Sequence, residues 1–466
     1  DLDGEGGLVW IKGRDSAYNN VLYDTARGAT QEMYSNNTDR SAANTNGLTA
    51  FNSNGFTIGT AGEVNNNLND YVSWTFRKAE KFFDIVTWTG DGNSSKTISH
   101  NLGSTPGMMI LKRTNGLPTA GNWIVFHRGI NNDRYLMLNS TADHASYGYD
   151  WSPTDTTFTA YLLGGADYSG NTNGDTYIAY LFAHNEQDFG ENSDEAIIKC
   201  GSYSNSGSAW SVDLGFEPQF LLRKLSDGVS SWQLTDTMRG LLADDGSGTA
   251  YARLLKAEVA NAENNAAGIN INSTGFNGTG SGDTGTWVYM AIARPHKPAS
   301  EFAATDLFTP SATEQSSEPY WTSSHIVDSS WSSYTISGSW YVADRIRQGK
   351  ELVFNSTGVE GAGSIYQFDY QNGMGAGPYG SNSFIYLLRR AKGFFDVVTY
   401  AGTGSNRTQT HNLGVAPELI LIKRRGPSGA DWVWYVGPLG AGNYMYGDAG
   451  AKLSSTTIWS NTAPTA

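Results

Sequence analysis

Two histidines occupy the same position in two similar stretches of the chain, and they are the first candidates for acid–base chemistry. His100 lies in SHNLG and His411 in THNLG. A third, more divergent stretch reads VDLG, so that Asp213 takes the place of the histidine. A side chain that is either His or Asp before a Leu-Gly turn fits a turn cap better than a proton-transfer group. We therefore predict a structural role for these residues.

Other signatures of catalysis are missing from the sequence. It contains no HxH or HExxH spacing for a metal, no GxSxG nucleophile motif, and no recognisable histidine partner for its single cysteine, Cys200. We expect a non-enzyme with no catalytic residue, metal or cofactor. A carboxylate pair for glycoside hydrolysis stays open, because the separation of two carboxylates is a property of the fold.

Two acidic stretches resemble parts of calcium loops. Asp1, Asp3 and Glu5 have the spacing of the first ligands, but Lys12 stands where an EF-hand needs its acidic twelfth residue. The pair Asp244–Asp245 lies in ADDGSG. We interpret both stretches as solvated acidic turns.

Aromatic residues fall into a recurring set and a loop set. The recurring set begins short strands in similar sequence contexts, which favours burial in a core over stacking on sugars: Trp123, Trp232, Trp340 and Trp432. The loop set does not recur and supplies the glycan-binding candidates: Tyr147, Tyr149, Trp151, Trp321 and Trp331. The asparagines of several Asn-x-Ser/Thr triplets are interpreted as turn residues: Asn36, Asn139, Asn272 and Asn355.

These residues sit in a chain that repeats itself. FFDIVTWTGDG, SHNLG and MILKR from Phe82 onward return as FFDVVTYAGTG, THNLG and ILIKR from Phe394 onward, at an offset of 312 residues (394 − 82). A weaker copy, IIKCGSYSNSG followed by VDLGFEPQFLLRK, lies between them. Three repeats therefore form a higher-order unit that begins again near residue 320.

We predict five β modules joined in tandem. Their bounds are 1–81 (incomplete at its N-terminus), 82–194, 195–300, 320–393 and 394–466, with a Ser/Thr/Pro-containing linker over 301–319. The last module lacks a counterpart of the strand TYIAYLFA, which would leave an open sheet edge, so we expect the polypeptide to continue past Ala466.

The repeated segments are four to eight residues long, rich in Val, Ile, Tyr, Trp and Thr, and bounded by Gly, Asn and Asp. This pattern predicts an all-β protein of tandem β-sandwich, jelly-roll-like modules of about 100 residues, each enclosing its own core. A β-propeller is the alternative, although its blades usually repeat at about 40 to 50 residues. One helix is predicted, over Ala252–Ala266.

Composition limits the partners. The chain has 31 Lys and Arg against 45 Asp and Glu, a net charge of −14, which disfavours a nucleic-acid partner. No apolar run approaches the ~18 residues that a membrane span requires, so no membrane insertion is expected.

The repeated strings resemble modules of tail-fibre and other virion proteins of tailed, especially marine, bacteriophages. LVWIKGRDS, FNSNGFTIG, HNLGSTPGMMILKR, YLMLNST and YIAYLFAH carry this resemblance, which covers nearly the whole chain. It implies a structural protein on the tail or outer surface of a virion, often a homotrimeric fibre.

The expected function is a non-catalytic tail fibre or tail appendage that adsorbs to the host. Its expected partners are other virion proteins and a host-surface glycan or protein. Two alternatives are a polysaccharide-depolymerase tailspike and a cellular lectin-like adhesin at the cell surface.

Overall fold

A computed structural model describes most of the chain. It describes residues 1–116, 121–163, 169–186, 188–190, 193, 195–243, 251–295, 299–310, 314–334, 338–363, 366–375, 383–426, 428–447 and 451–466. This part of the chain is nearly all β: the strand pairs are antiparallel and no sheet closes into a barrel. The predicted all-β class is confirmed, and the arrangement is consistent with sandwich modules. Four of the five main sheets have five or six strands, more than the four-stranded blade of a propeller.

The chain forms two compact units. Unit 1 comprises Asp1–Thr235, Arg253–Ala266 and Thr279–Ala293, and unit 2 comprises Asp236–Ala252, Ala267–Gly278 and Arg294–Ala466. The division into five modules stays a prediction, and the five main sheets are numbered below in chain order. In the described residues, no helix has the length and apolar character needed to cross a membrane.

Sheet 1 is the first main sheet, with the strand order β4-β3-β2-β1-β7, and it is accompanied by the hairpin β5–β6. Its elements are β1 (Gly7–Gly13), β2 (Val21–Asp24), β3 (Gln31–Tyr34), β4 (Ala42–Ala43), β5 (Leu48–Asn52), β6 (Gly55–Ile58), the short helix α1 (Gly62–Asn65) and β7 (Tyr71–Arg77). Strand β1 is buried along its whole length. Val9 and Ile11 face the hairpin side, whereas Leu8 and Trp10 face a second core.

Sheet 2 has the order β13-β12-β11-β10-β15-β8, with the pair β9–β14 as its companion. Its strands are β8 (Phe83–Thr89), β9 (Ser95–Ser99), β10 (Met108–Arg113), β11 (Ile124–His127), β12 (Arg134–Met137), β13 (Ala145–Ser146), β14 (Thr157–Tyr161) and β15 (Thr176–Phe182). Strand β15 lies between β10 and β8 and is buried on both faces, because both sets of its alternating positions carry apolar residues.

Sheet 3 has the order β16-β24-β18-β19-β20-β21. The strands of this region are β16 (Ile198–Asn205), β17 (Trp210–Asp213), β18 (Pro218–Leu225), β19 (Gln233–Asp236), β20 (Tyr251–Lys256), β21 (Asn264–Ala267), β22 (Asn270–Asn272), β23 (Gly275–Gly278) and β24 (Gly285–Ala293). The predicted helix over Ala252–Ala266 is wrong, because β20 and β21 occupy its ends. Leu255 pairs with Leu234 of β19 and is buried, so tertiary packing overrides the helix propensity of Ala, Leu and Glu.

Sheet 4 has the order β25-β32-β27-β28-β29-β30, with β26–β31 as its companion pair. Its strands are β25 (Phe308–Thr309), β26 (Trp321–Thr322), β27 (Ser329–Tyr334), β28 (Trp340–Asp344), β29 (Gly349–Val353), β30 (Gly361–Gly363), β31 (Gly373–Met374) and β32 (Ser383–Leu388). Within the segment expected as a linker, β25 pairs with the end of β32. Short 3-10 turns occur at Ala299–Glu301, Ala304–Asp306, Arg345–Arg347 and Gly437–Leu439.

Sheet 5 is smaller, with four strands in the order β33-β34-β35-β36. They are β33 (Leu419–Ile422), β34 (Val433–Val436), β35 (Asn443–Tyr446) and β36 (Lys452–Ser454). Leu421 and Trp432 pack with Val342 of sheet 4 in one apolar cluster of unit 2.

Sheets 1, 2 and 3 share one apolar core in unit 1. Trp74 and Phe76 of sheet 1 lie against Phe220 of sheet 3, at ring-centroid distances of 6.0 and 5.9 Å. Phe76 also meets Phe182 of sheet 2 at 5.3 Å. The expectation that every module encloses only its own core is therefore wrong for these three sheets.

Candidate functional site

The recurrent histidines cap turns. The backbone N–H of Leu102 donates to His100 Nδ1 at 3.2 Å, and that of Leu413 donates to His411 Nδ1 at 3.2 Å. In the third copy, Asp213 Oδ1 accepts the N–H of Gly215 at 3.0 Å. The predicted structural role is confirmed, because all three side chains accept a bond from the residue two positions later.

An aspartate that recurs in the two histidine-containing copies also accepts a backbone N–H of the turn. Asp84 Oδ2 accepts the N–H of Asn101 at 2.8 Å, and Lys78 lies 3.0 Å from its other oxygen. In the later copy, Asp396 Oδ2 accepts the N–H of Asn412 at 2.8 Å, and Arg390 is 2.7 Å from its other oxygen. Phe-Phe-Asp and His-Asn-Leu-Gly are thus two halves of one structural element.

A lysine recurs near the end of β1, β10 and β18 and just after β33: Lys12, Lys112, Lys224 and Lys423. The first three are buried, and Lys423 is half-buried. Their ammonium groups bind backbone carbonyls. Lys112 Nζ donates to Gly121 O at 2.8 Å and to Thr38 O, in the segment between β3 and β4, at 3.1 Å. Burial lowers the pKa of Lys12 and of Lys224 to about 8. These lysines connect strands and loops, since every one of these bonds ends on a main-chain oxygen.

The asparagines of these four Asn-x-Ser/Thr triplets also accept hydrogen bonds from backbone N–H groups. Asn139 Oδ1 accepts the N–H of Trp123 at 2.9 Å. The same bond recurs from Asn20 to Asn36, from Trp340 to Asn355 and, with a glutamate, from Trp232 to Glu258. Asn272 ends β22 and accepts the N–H of Thr274 at 3.0 Å. The prediction of turn residues is confirmed for Asn36, Asn139 and Asn355.

Tryptophans of the recurring set join adjacent sheets. Trp123 Nε1 of sheet 2 donates to Tyr34 O of sheet 1 at 2.9 Å. Trp232 Nε1 of sheet 3 donates to Met137 O of sheet 2 at 2.8 Å. Each acceptor is the last residue of the strand next to an edge strand of its sheet, β3 beside β4 and β12 beside β13. Burial of these two rings confirms the predicted core role.

Sheet 1 completes the series with a different residue. Asn20 stands in the position of the tryptophan, and its Nδ2 donates to Lys256 O at 3.2 Å and to Val259 O at 2.9 Å. Lys256 is the last residue of β20 in sheet 3. Sheets 1, 2 and 3 therefore form a closed ring of three similar joints. In unit 2, Trp432 of the sheet 5 region makes the same bond to Val353 O of sheet 4 at 2.8 Å.

The loop aromatics are less exposed than expected. Tyr147 and Trp151 are buried, and their rings stack on each other at 4.3 Å. Trp321 is buried and Trp331 is half-buried, whereas Tyr149 is 49% exposed and stacks on a neighbouring tyrosine. The expectation of exposed ring faces is wrong for the three buried residues, because each packs in a core.

The acidic stretch at Asp1–Glu5 and the cysteine show no reactive geometry. Asp1 Oδ1 accepts the N–H of Gly4 at 3.1 Å in an exposed turn. Asp244 and Asp245 lie outside the described residues. Over the part that is described, no group of three or more His, Cys, Asp or Glu could hold a metal ion. Burial raises the pKa of the Cys200 thiol, although His184, which the sequence did not reveal, accepts its backbone N–H at 3.1 Å.

One member of the tryptophan set is exposed. Trp340 of β28 and Phe384 of β32 both pair with Ser333 of β27, so the three side chains share one face of sheet 4. Trp340 is 40% and Phe384 47% exposed. Two strand spacings separate the aromatic residues by about 10 Å. We call Trp340, Phe384 and Ser333 the aromatic face. The exposure of Trp340 contradicts the core role that was predicted for it.

Family membership is decided by a domain model. The model described as "Domain of unknown function (DUF7483)" matches residues 3–295 and 388–466, well over half of the chain. The chain belongs to this family. The second match begins six residues before Phe394 and therefore covers the later copy of the repeat that starts at Phe82 in this DUF7483 chain. Searches of curated proteins and of solved structures gave no significant match.

The aromatic face was missed by sequence reasoning. The sequence did not predict an exposed Phe384 because its strand has diverged from the repeat. Trp340 shares its sequence context with tryptophans that were predicted to be buried. The sequence does contain a signal that this strand differs from the other copies. In SSWSSY, Ser333 occupies the position that the buried Lys112 occupies in the related strand β10.

Proposed function

We propose that this chain is a non-catalytic structural protein of a bacteriophage virion, a tail fibre or tail appendage that adsorbs to the host surface. One observation carries the proposal. The polar side chains that recur along the chain bind backbone atoms, as the turn-capping histidines and the recurrent lysines do. Residues that recur for chemistry would instead point into a shared cleft. The resemblance of the repeats to virion modules supplies the biological setting.

The aromatic face is the proposed adsorption surface, with a host glycan as its ligand. Exposed aromatic rings offer flat apolar area at low entropic cost, and the face of a pyranose is apolar enough to stack on them. Trp340 and Phe384 stand far enough apart to contact successive sugar units. Tyr149 is a second, separate exposed ring.

Adsorption is tested with the fluorescently labelled full chain and purified host surface polysaccharide. The double variant Trp340→Ala/Phe384→Ala is expected to lose at least about tenfold in affinity. Val229→Ala, which removes an exposed apolar side chain elsewhere, is the matched control and should bind as the unmodified chain does. Equal binding by all three proteins would refute the aromatic face as the adsorption surface.

Location and catalysis need separate measurements. Antibodies against the chain are expected to label the tails of purified particles in immunogold electron microscopy. Label confined to cell envelopes would instead support a cellular adhesin. Release of reducing ends from the polysaccharide by the purified chain would support a depolymerase and contradict the non-catalytic assignment.

A further inference from the structure

In sheets 1 to 4, the strand that carries the recurrent lysine position (Ser333 in sheet 4) has a paired strand on each side. In unit 1, β1 lies between β2 and β7, β10 between β11 and β15, and β18 between β19 and β24. In unit 2, β27 lies between β28 and β32. Strand β33 of sheet 5 pairs with β34 on one side, and no described strand pairs with its other edge.

Strand β33 has the geometry of β10. Leu419 pairs with Val436 and Ile422 with Val433, just as Met108 pairs with His127 and Leu111 with Ile124. The lysines that follow agree as well: Lys423 Nζ binds Ala430 O, as Lys112 Nζ binds Gly121 O. The free edge of β33 therefore corresponds to the edge of β10 that β15 covers.

Apolar surface is uncovered along that edge. Leu419 is 53% exposed, whereas its counterpart Met108, opposite Phe182 of β15, is 1% exposed. Tyr400 is exposed where its counterpart Trp88 is buried. The stretch 396–410, which corresponds to β8 and β9, forms no strand. In sheet 5, therefore, neither of the two segments that would flank a β15-type strand is paired at that position.

We propose that the free edge of β33 binds an extended partner strand of the β15 type. The partner runs antiparallel to β33 and carries seven residues that are apolar on both faces, as in Thr176–Phe182. By the β10–β15 register, its last aromatic residue lies opposite Leu419 and its first tyrosine opposite Arg424. Main-chain hydrogen bonds supply affinity, and the exposed pockets select large side chains. This inference does not depend on the proposed function.

The experiment uses the full chain and a synthetic peptide with the sequence of residues 174–185, GDTYIAYLFAHN. Binding is followed by fluorescence polarisation, and amide exchange is measured by mass spectrometry. We expect saturable binding, with exchange slowed at least about tenfold in β33 and in residues 396–401. Amides of β10, whose edge is occupied, should be unchanged.

Two controls make the test specific. A peptide with proline at the position of Ala179 loses a main-chain donor and should not bind. Leu419→Lys places a charge on the edge and should weaken binding of the unmodified peptide without altering exchange in β10. Absence of binding, or binding without protection of β33, would overturn the proposal. The proposal would also be overturned if raising the chain concentration, without peptide, slowed amide exchange in β33. That result would identify a second copy of the chain as the partner.

Discussion

Replacing His127 by asparagine tests whether a buried neutral imidazole makes unit 1 sensitive to acid. His127 lies at the end of β11, where its Nε2–H donates to Tyr289 O at 3.0 Å and its Nδ1 accepts the N–H of Gly129 at 2.9 Å. Both ring nitrogens are used in the neutral form, so a second proton would break the bond from Gly129. Burial, with smaller effects from Arg128 and His184, lowers the pKa of His127 to about 4 from its usual 6.5.

The sign and size of the effect follow from this pKa. Between pH 6.5 and pH 4 the unfolded chain binds the proton and the folded chain does not, so the free energy of unfolding falls as the pH falls. From about pH 7.5 to about pH 4.5 the loss from this one group is about 2.5 kcal/mol. His127→Asn keeps an acceptor for Gly129 and removes the titration. At neutral pH it should cost about 1–3 kcal/mol, because Tyr289 O loses its donor.

The assay is the denaturant dependence of amide exchange in β11, which reports on this region and not on unit 2. The unmodified chain should lose about 2.5 kcal/mol more than His127→Asn between the two pH values. An equal acid-induced loss in the two proteins would refute the reasoning.

Three further predictions follow from single contacts. Trp123→Phe removes the donor to Tyr34 O and should lower the free energy of unfolding of unit 1 by about 1–3 kcal/mol in urea titrations; an unchanged midpoint would contradict the joint. Asn139→Ala should cost about 1–2 kcal/mol in the same titration, and Asn139→Asp less, because the carboxylate still accepts the N–H of Trp123. Cys200, buried and with a raised pKa, should resist thiol reagents in the folded chain and react at once in denaturant; rapid labelling of the native protein would show that the site opens.

The sequence was sufficient for features that depend on local spacing. The turn caps His100 and His411 could be predicted because donor and acceptor lie two residues apart. The all-β class could be predicted from short segments rich in Val, Ile, Tyr, Trp and Thr that are bounded by Gly, Asn and Asp.

Features that depend on contacts between distant strands were not predictable. Lys112 looks like a surface residue in sequence, but one of its acceptors, Thr38 O, lies in the distant segment between β3 and β4. Burial of Tyr147 and Trp151 arises from their mutual stacking within an irregular loop. The shared core of unit 1 was missed because a single repeat does not specify which of its two apolar faces meets another repeat.

The closed ring of sheets 1, 2 and 3 resembles a cyclic homotrimer contained in one polypeptide. Each joint is heterologous, with a donor on one sheet and an acceptor on the next, and three such rotations close the circle. In a true homotrimer, one substitution would alter all three joints at once. Within a single chain each joint is encoded separately, so Asn20 can stand where its counterparts are tryptophan without loss of closure.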